Sequence, residues 1–151
     1  MIEIIAVGKK HEPWVQAGIE RYSKRLQRPW DIKWELLPHS SLEGSRARQE
    51  ESERLLRRLD TKSYVILLDE TGQLIDSPSL SSAIAGQLDY GTTVTMVIGG
   101  AYGVDDSLRT RADLVWSLSP LVFPHQLVRL ILAEQLYRSQ QIAIGSGYHH
   151  D

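Results

Sequence analysis

An α/β domain on a mostly parallel central sheet is expected from three features of this 151-residue chain. Apolar, often β-branched runs recur at residues 2–7, 64–68, 93–98 and 114–118. Helix-compatible stretches separate them, the alternation that builds parallel βαβ units. The run at 93–98 leads straight into the glycine loop Gly99-Gly100-Ala101-Tyr102-Gly103, and open α/β sheets bind ligands beyond such strand ends.

The elements follow in order. Residues 2–7 form a buried strand. Pro13 suits the first turn of a helix, on which Trp14, Gly18, Tyr22 and Leu26 fall four apart before Pro29 limits it. Ile32, Trp34 and Leu36 alternate with charged residues, as on a half-exposed strand. After a polar loop at 39–46, helical composition runs from about Ser45 to Leu59, with Glu50–Arg54 and Glu53–Arg57 spaced to pair. Arg54, Arg57 and Arg58 make a basic edge there, either a solvated helix face or a phosphate contact. Tyr64–Leu68 is a strand ending at Asp69-Glu70-Thr71-Gly72. Ser77 is placed to cap a helix with Pro78 in its first turn, and Leu80, Ile84 and Leu88 share its apolar face. Asp105 or Asp106 starts a short helix reaching about Ala112, Leu114–Leu118 is a strand, and Phe123–Gln141 is the longest helix. Leu127, Val128, Leu130, Ile131, Leu132 and Leu136 cover most of that helix's circumference. A surface helix shows one apolar stripe, so burial on two sides, by its own sheet and by a second copy in a homodimer, is expected.

Bulk composition narrows the function. The length and the lack of linker, repeat or low-complexity segment fit one domain over residues 1–151. Apolar content of 42% and charged content of 24% describe a folded chain. No apolar run is long enough for a membrane span, and the start lacks a signal-peptide pattern, so a cytoplasmic location is expected. With no cysteine, disulfides, thiolate metal sites and thiol nucleophiles are excluded. A net charge of −2 argues against tight, nonspecific RNA binding by one copy, without excluding RNA.

The candidate chemistry lies in the last third. The glycine spacing G-G-x-x-G is neither a dinucleotide fingerprint nor a phosphate-binding lysine loop. It reads as a tight turn or as backbone bared for a ligand. Ser117-Leu118-Ser119-Pro120-Leu121-Val122-Phe123-Pro124-His125-Gln126 is a strand end that breaks into a helix, and Tyr148-His149 closes the chain. Neither metal spacing nor a nucleophile elbow is present, so no metal is expected. A small hydrolase using Asp69, Glu70 and a histidine is a weak rival reading.

Taken in order, Ile98-Gly99-Gly100, Leu118-Ser119, Phe123-Pro124-His125-Gln126, Glu134-Gln135-Leu136-Tyr137-Arg138 and Tyr148-His149 resemble the RlmH family of SPOUT-class methyltransferases. The resemblance spans the chain, from Ala6-Val7-Gly8-Lys9 to the terminal Tyr-His. It implies a single-domain SPOUT-type α/β fold with a C-terminal trefoil knot, an exception to unknotted topology. It implies a homodimer that transfers a methyl group from S-adenosylmethionine to N3 of a pseudouridine in large-subunit ribosomal RNA. Carried over, the cofactor positions are Leu68, Gly100, Ser119, Pro120, Leu121, Val122, Phe123 and Pro124. The catalytic positions are His149, Tyr148 and Arg138, with His125 and His149 on the substrate side. Histidine titrates near neutral pH, so His149 is either a base for the weakly acidic N3–H or a hydrogen-bonding anchor. Tyr148 is placed to stack on the target base.

The chain departs from the family at its end, where Pro-Tyr-His and a cation are usual and Gly147-Tyr148-His149-His150-Asp151 stands instead. That departure supports the alternative of a catalytically impaired, knotted RNA- or ribosome-binding dimer. Together with this resemblance, the near-neutral charge and lack of an added RNA-binding domain lead to the expectation that the assembled ribosome is recognised and isolated RNA is a poor substrate.

Overall fold

The computed structural model describes residues 1–150. Its strands are β1 (Ile2–Val7), β2 (Ile32–Leu37), β3 (Tyr64–Leu74), β4 (Val94–Ile98) and β5 (Leu114–Ser117). All pair in parallel in the order β2-β1-β4-β3-β5. Between them run α1 (Pro13–Ser23), α2 (Gly44–Arg58), α3 (Ser77–Asp89) and α4 (Asp106–Arg111), and α5 (His125–Ala143) follows β5.

Strand alternation sends side chains to two cores. Ile2, Ile4, Ala6, Ile66 and Met96 meet Leu80 and Ile84 of α3 and Leu132 and Leu136 of α5. Ile5, Val7, Val65, Leu67 and Val97 meet Leu55 of α2 and Leu108 of α4. A sheet covered on both faces explains why its inner strands read as continuous apolar runs. At β2, on the sheet edge, Lys33 is exposed while Leu37 is buried.

Several boundaries differ from the sequence expectation for local reasons. α1 stops at Ser23, well short of Pro29, and its buried residues are Val15 and Ile19, with Trp14 exposed. Asp76, not Ser77, caps α3, its carboxylate accepting from the Ser79 N–H at 2.8 Å. The Ser77 hydroxyl instead donates to Gln135 Oε1 of α5 at 2.7 Å. α5 begins at His125 because Pro124 is extended, with φ −56° and ψ 144°.

The largest difference is β3. It does not end at Asp69 but continues to Leu74, with Leu68 and Gln73 both registered on Trp116 of β5. Residues between them form an excursion from the ladder. Gly72 is required there, since a Cβ would lie 2.6 Å from the Val115 main chain.

α5 lies between α1 and α3 and carries the ties that hold the sheet's carboxyl edge. Its buried residues are Arg129, Leu132, Ala133, Leu136, Ser139 and Gln140. Leu130 covers bare Gly18 of α1, where a Cβ would meet Leu130 Cδ1 at 2.5 Å. Neighbours within one chain thus account for much of the wide apolar circumference. At its start, His125 Nε2 lies 2.9 Å from the Gly99 carbonyl, and Arg129 Nη1 donates to the Lys9 carbonyl at 2.8 Å.

Burial, then the Arg129 charge, lowers the pKa of His125, and the same two causes lower that of His11. The unfolded chain holds these histidines near about 6.5, so on acidification it binds protons before the folded chain does. The stability they contribute is therefore full above about pH 6.5 and declines as pH falls towards the lower folded values. Thermal melts should show His125→Gln with a shallower loss of stability below about pH 6.5 than the parent. Identical slopes in both proteins would refute the assignment.

Candidate active site

The excursion within β3 and the loops that follow β4 and β5 enclose a crevice of about 640 Å³. That volume lies within the roughly 300–1,000 Å³ typical of small-molecule sites. Ile98 comes from the end of β4, Leu68 from β3 just before its excursion, Asp69, Glu70 and Thr71 from that excursion, and Val128 from α5. Ser119, Pro120, Leu121, Val122 and Phe123 form the remaining wall. In that wall the Ser119 hydroxyl accepts from the Leu121 N–H at 3.0 Å. Leu121 and Val122 are left 71% and 88% exposed.

The glycine loop is a tight turn as well as a crevice wall. Gly103 donates to the Gly100 carbonyl at 3.1 Å and takes φ +77°, a conformation that suits glycine. Gly100 lines the crevice and is also packed from behind. The space its missing side chain leaves is filled from behind the loop, where a Cβ would lie 2.5 Å from Glu51 Oε1 and 3.2 Å from Val7 Cγ1. Glycine is needed here because a buried carboxylate of α2 presses on the loop.

Asp69 is held in place at the crevice. Arg109 of α4 donates to it at 3.1 and 3.4 Å, and the Thr71 N–H and hydroxyl donate to Oδ2. Burial alone would raise its pKa, but the hydrogen bonds from Arg109 and Thr71 outweigh burial and hold the carboxyl below its usual value. Asp69 is therefore an ionised structural brace rather than a proton donor.

The tail folds back on α5. The Tyr148 hydroxyl donates to Glu134 Oε1 at 3.2 Å, its ring meets Tyr137 edge-on at 4.9 Å, and the Arg138 guanidinium lies 4.9 Å from its centroid. Arg138 also donates to Glu134 at 2.6 and 2.9 Å, and its Nη1 lies 3.1 Å from His149 Nδ1. An arginine only donates, so Nδ1 accepts and the proton of a neutral His149 ring sits on Nε2. His149 lines a second hollow of about 540 Å³ that shares Trp116, Leu118, Ser119 and Phe123 with the crevice. Gly147 and His150 do not prevent this docking, while Asp151 lies outside the described residues.

The structure thus gathers Leu68, Gly100 and Ser119 through Phe123 around one crevice and puts His149 in the adjoining hollow, with Arg138 held against both His149 and Tyr148. Pro124 and His125 stand apart from both linings. Pro124 precedes α5, and His125 sits behind the glycine loop on the Gly99 carbonyl. The basic edge pairs with carboxylates, Arg54 with Glu50, Arg57 with Glu53 and Arg58 with Glu35. Among the described residues no three metal-ligating side chains come together. Sequence reasoning missed Glu134 as the tail's anchor, although its i,i+4 spacing to Arg138 was a signal. It also missed Glu51, Arg109 and Trp116, whose roles depend on contacts between distant segments.

Residues 1–149 match the family described as predicted SPOUT methyltransferase. A ribosomal RNA large subunit methyltransferase H from Geotalea daltonii is 42% identical over 151 residues, covering 99% of each chain. Another of that name from Acetivibrio thermocellus is 42% identical over 156 residues, covering 98% of each. Among solved structures, a probable methylase family protein from Haemophilus influenzae shares the fold with a TM-score of 0.58 at 11% identity, covering 99% of this chain and 70% of that one. With this full-length match and the crevice at the sheet's carboxyl edge, the chain belongs to the SPOUT methyltransferase family.

Proposed function

We propose that this chain, as a homodimer, transfers a methyl group from S-adenosylmethionine to N3 of a pseudouridine in large-subunit ribosomal RNA on the assembled ribosome. The observation that carries this reading is the placement of the His149–Arg138 pair beside a crevice walled by bare loop backbone. The names of the full-length relatives support the substrate class. Exposed Trp14, Leu121 and Val122 support coverage by a second copy. A C-terminal trefoil knot and a cytoplasmic location form part of the same reading.

The residues fit the cofactor. Leu68, Ile98, Leu118 and Val128 offer apolar walls for an adenine ring. Main chain at Gly100–Gly103 and Ser119–Phe123 lies at the crevice, where backbone groups read a purine edge. When bound, the cofactor supplies an electrophilic methyl group on a sulfonium, so the protein needs no metal for the chemistry. The protein's share is to hold the acceptor nitrogen in line with that methyl group.

In the reaction the N3–C bond forms, the S–C bond breaks and the N3 proton leaves to solvent. With Nδ1 of His149 occupied by Arg138, the Nε2–H is directed to donate rather than to accept. It would hydrogen-bond a carbonyl oxygen of the base, where negative charge gathers as N3 loses its proton. Arg138, anchored by Glu134, fixes the imidazole and adds positive charge. Tyr148 braces this arrangement, with its ring against Tyr137 and Arg138.

Methyl transfer to unmodified ribosomes is the direct assay, with cofactor affinity followed by calorimetry. His149→Ala should lower turnover on the order of 10²-fold and leave cofactor affinity nearly unchanged. His149→Gln keeps a donor but no base and should retain more activity than the alanine variant. If both variants are equally inactive, the donor role is wrong. No transfer by the parent protein would sink the proposed function itself.

Gly100→Val should weaken cofactor binding, because the new side chain strikes Glu51 and drives the loop into the crevice. Removing the obstacle with Glu51→Ala in the same chain should restore part of the affinity, a coupling a double-mutant cycle measures. Strict additivity would show that Glu51 is not the cause.

A further inference from the structure

The start of α3 lines the same hollow as the docked tail. Asp76, Ser77 and Pro78 meet Gln135 and His149 around this space of about 540 Å³. Trp116, Leu118, Ser119 and Phe123 form a wall common to the hollow and the crevice. The two spaces therefore adjoin, as a methyl donor in one and an acceptor ring in the other require. Apolar walls carrying a few fixed polar groups suit a small planar ligand.

A run of hydrogen bonds sets the spacing of those polar groups. The Ser77 hydroxyl donates to Gln135 Oε1 at 2.7 Å, and Gln135 Nε2 donates to Glu134 Oε2 at 2.8 Å. Glu134 Oε1 accepts from Arg138 at 2.6 and 2.9 Å, and Arg138 Nη1 lies 3.1 Å from His149 Nδ1. The start of α3 and the imidazole are thus tied to one turn of α5, residues 134–138.

Asp76 is the charged acceptor of the set. It is exposed, and its Oδ1 caps α3 by accepting from the Ser79 N–H at 2.8 Å. Hydrogen bonds from Ser79, with a smaller contribution from the His149 charge, hold its carboxyl below the usual range, so it is ionised at neutral pH. An ionised carboxylate offers about four lone-pair sites, so the cap leaves capacity for another N–H. Ser77 and Gln135, by contrast, are engaged with each other.

The chemistry of the base matches this placement. Pseudouridine is joined to its ribose through C5, so N1–H stands where uridine carries C5–H. N1–H and N3 flank the same carbonyl, at C2. One edge of the ring therefore presents an acceptor and a donor side by side, and a donor beside an acceptor reads it.

We infer that the hollow is the acceptor-nucleoside pocket and that Asp76 selects pseudouridine over uridine, its carboxylate accepting N1–H while His149 donates to the neighbouring C2 carbonyl. This rests on the proposed function for the reaction itself. N3, on the far side of that carbonyl, is left for the methyl group. With uridine the carboxylate faces a C–H, and one charge-assisted hydrogen bond is lost. Water replaces part of that bond at exposed Asp76, so the selectivity is on the order of tenfold rather than the roughly 10⁴-fold of a buried polar site.

Two measurements test the assignment. In the first, kcat/KM for methyl transfer is compared on ribosomes carrying either pseudouridine or uridine at the target position. The parent should prefer pseudouridine about tenfold. Asp76→Asn caps a helix as well as aspartate does but turns an amide NH2 towards N1–H, and Asp76→Ser caps it but is too short to reach the base. Both should lower kcat/KM on pseudouridine about tenfold and leave the uridine value, the melting temperature and calorimetric cofactor affinity near those of the parent. Equal losses on both ribosomes would reduce Asp76 to a helix cap and overturn the inference. A parent without preference, or variants that keep it, would overturn it too.

The second measurement needs no ribosome. The Trp116 indole N–H signal is followed by NMR while pseudouridine monophosphate or uridine monophosphate is added to the full chain. The pseudouridine nucleotide should shift it at lower concentration, and the difference should vanish in Asp76→Asn. An equal response to both nucleotides rejects selection by Asp76, and no response rejects the pocket. If the parent methylates neither ribosome, the proposed function fails, and this titration alone judges the hollow.

Discussion

The docking of α5 across the sheet is the constraint on which the rest of the structure depends. Its apolar stripe, Leu132 and Leu136, fills one core. Its first turns hold the β1 and β4 loops through Arg129 and His125. Further along, Glu134 and Arg138 hold the tail. One helix therefore sets the distance between the glycine loop at one end of the site and the imidazole at the other. A parallel sheet opens all its carboxyl ends on the same edge, so a single well-placed helix can organise them all.

That economy explains how a chain this short can support a bimolecular reaction. The crevice is built from strand ends and backbone, so it requires few dedicated side chains. Glycines at 72 and 100 are needed for close packing between segments, against Val115 and Glu51. Charge is handled locally. Arg54, Arg57 and Arg58 pair with carboxylates of their own helix or of β2. The net charge of −2 thus conceals a buried Arg129 with two unsatisfied nitrogens beside the exposed Lys9 and Lys10.

The tail shows how tertiary contacts choose between chemical roles. An imidazole near a chain terminus is compatible with a base, an anchor or a frayed end. The Arg138 guanidinium, 3.1 Å from Nδ1, holds the imidazole against α5. Glu134 in turn fixes Arg138 and Tyr148 together, so three side chains act as a unit. The altered residues Gly147 and His150 flank this unit without supplying any of its contacts to Glu134 or Arg138.

Periodicity and composition were sufficient for the α/β class, for every strand start to within about one residue, and for the loops after β4 and β5. These features are local, since strand and helix patterns repeat over a few residues and glycine or proline punctuates them. The ordered motifs added the family and the crevice residues Leu68, Gly100 and Ser119 through Phe123. What the sequence could not reveal depends on pairs far apart in the chain: Gly72 under Val115, Glu51 behind Gly100, Arg109 on Asp69 and Arg129 over Gly8. The extension of β3 past Asp69 belongs with them, because only pairing with β5 makes that polar stretch a strand. Local patterns fix which segments fold, but the hydrogen bonds and close approaches that give each polar group its role exist only once the sheet has brought distant segments together.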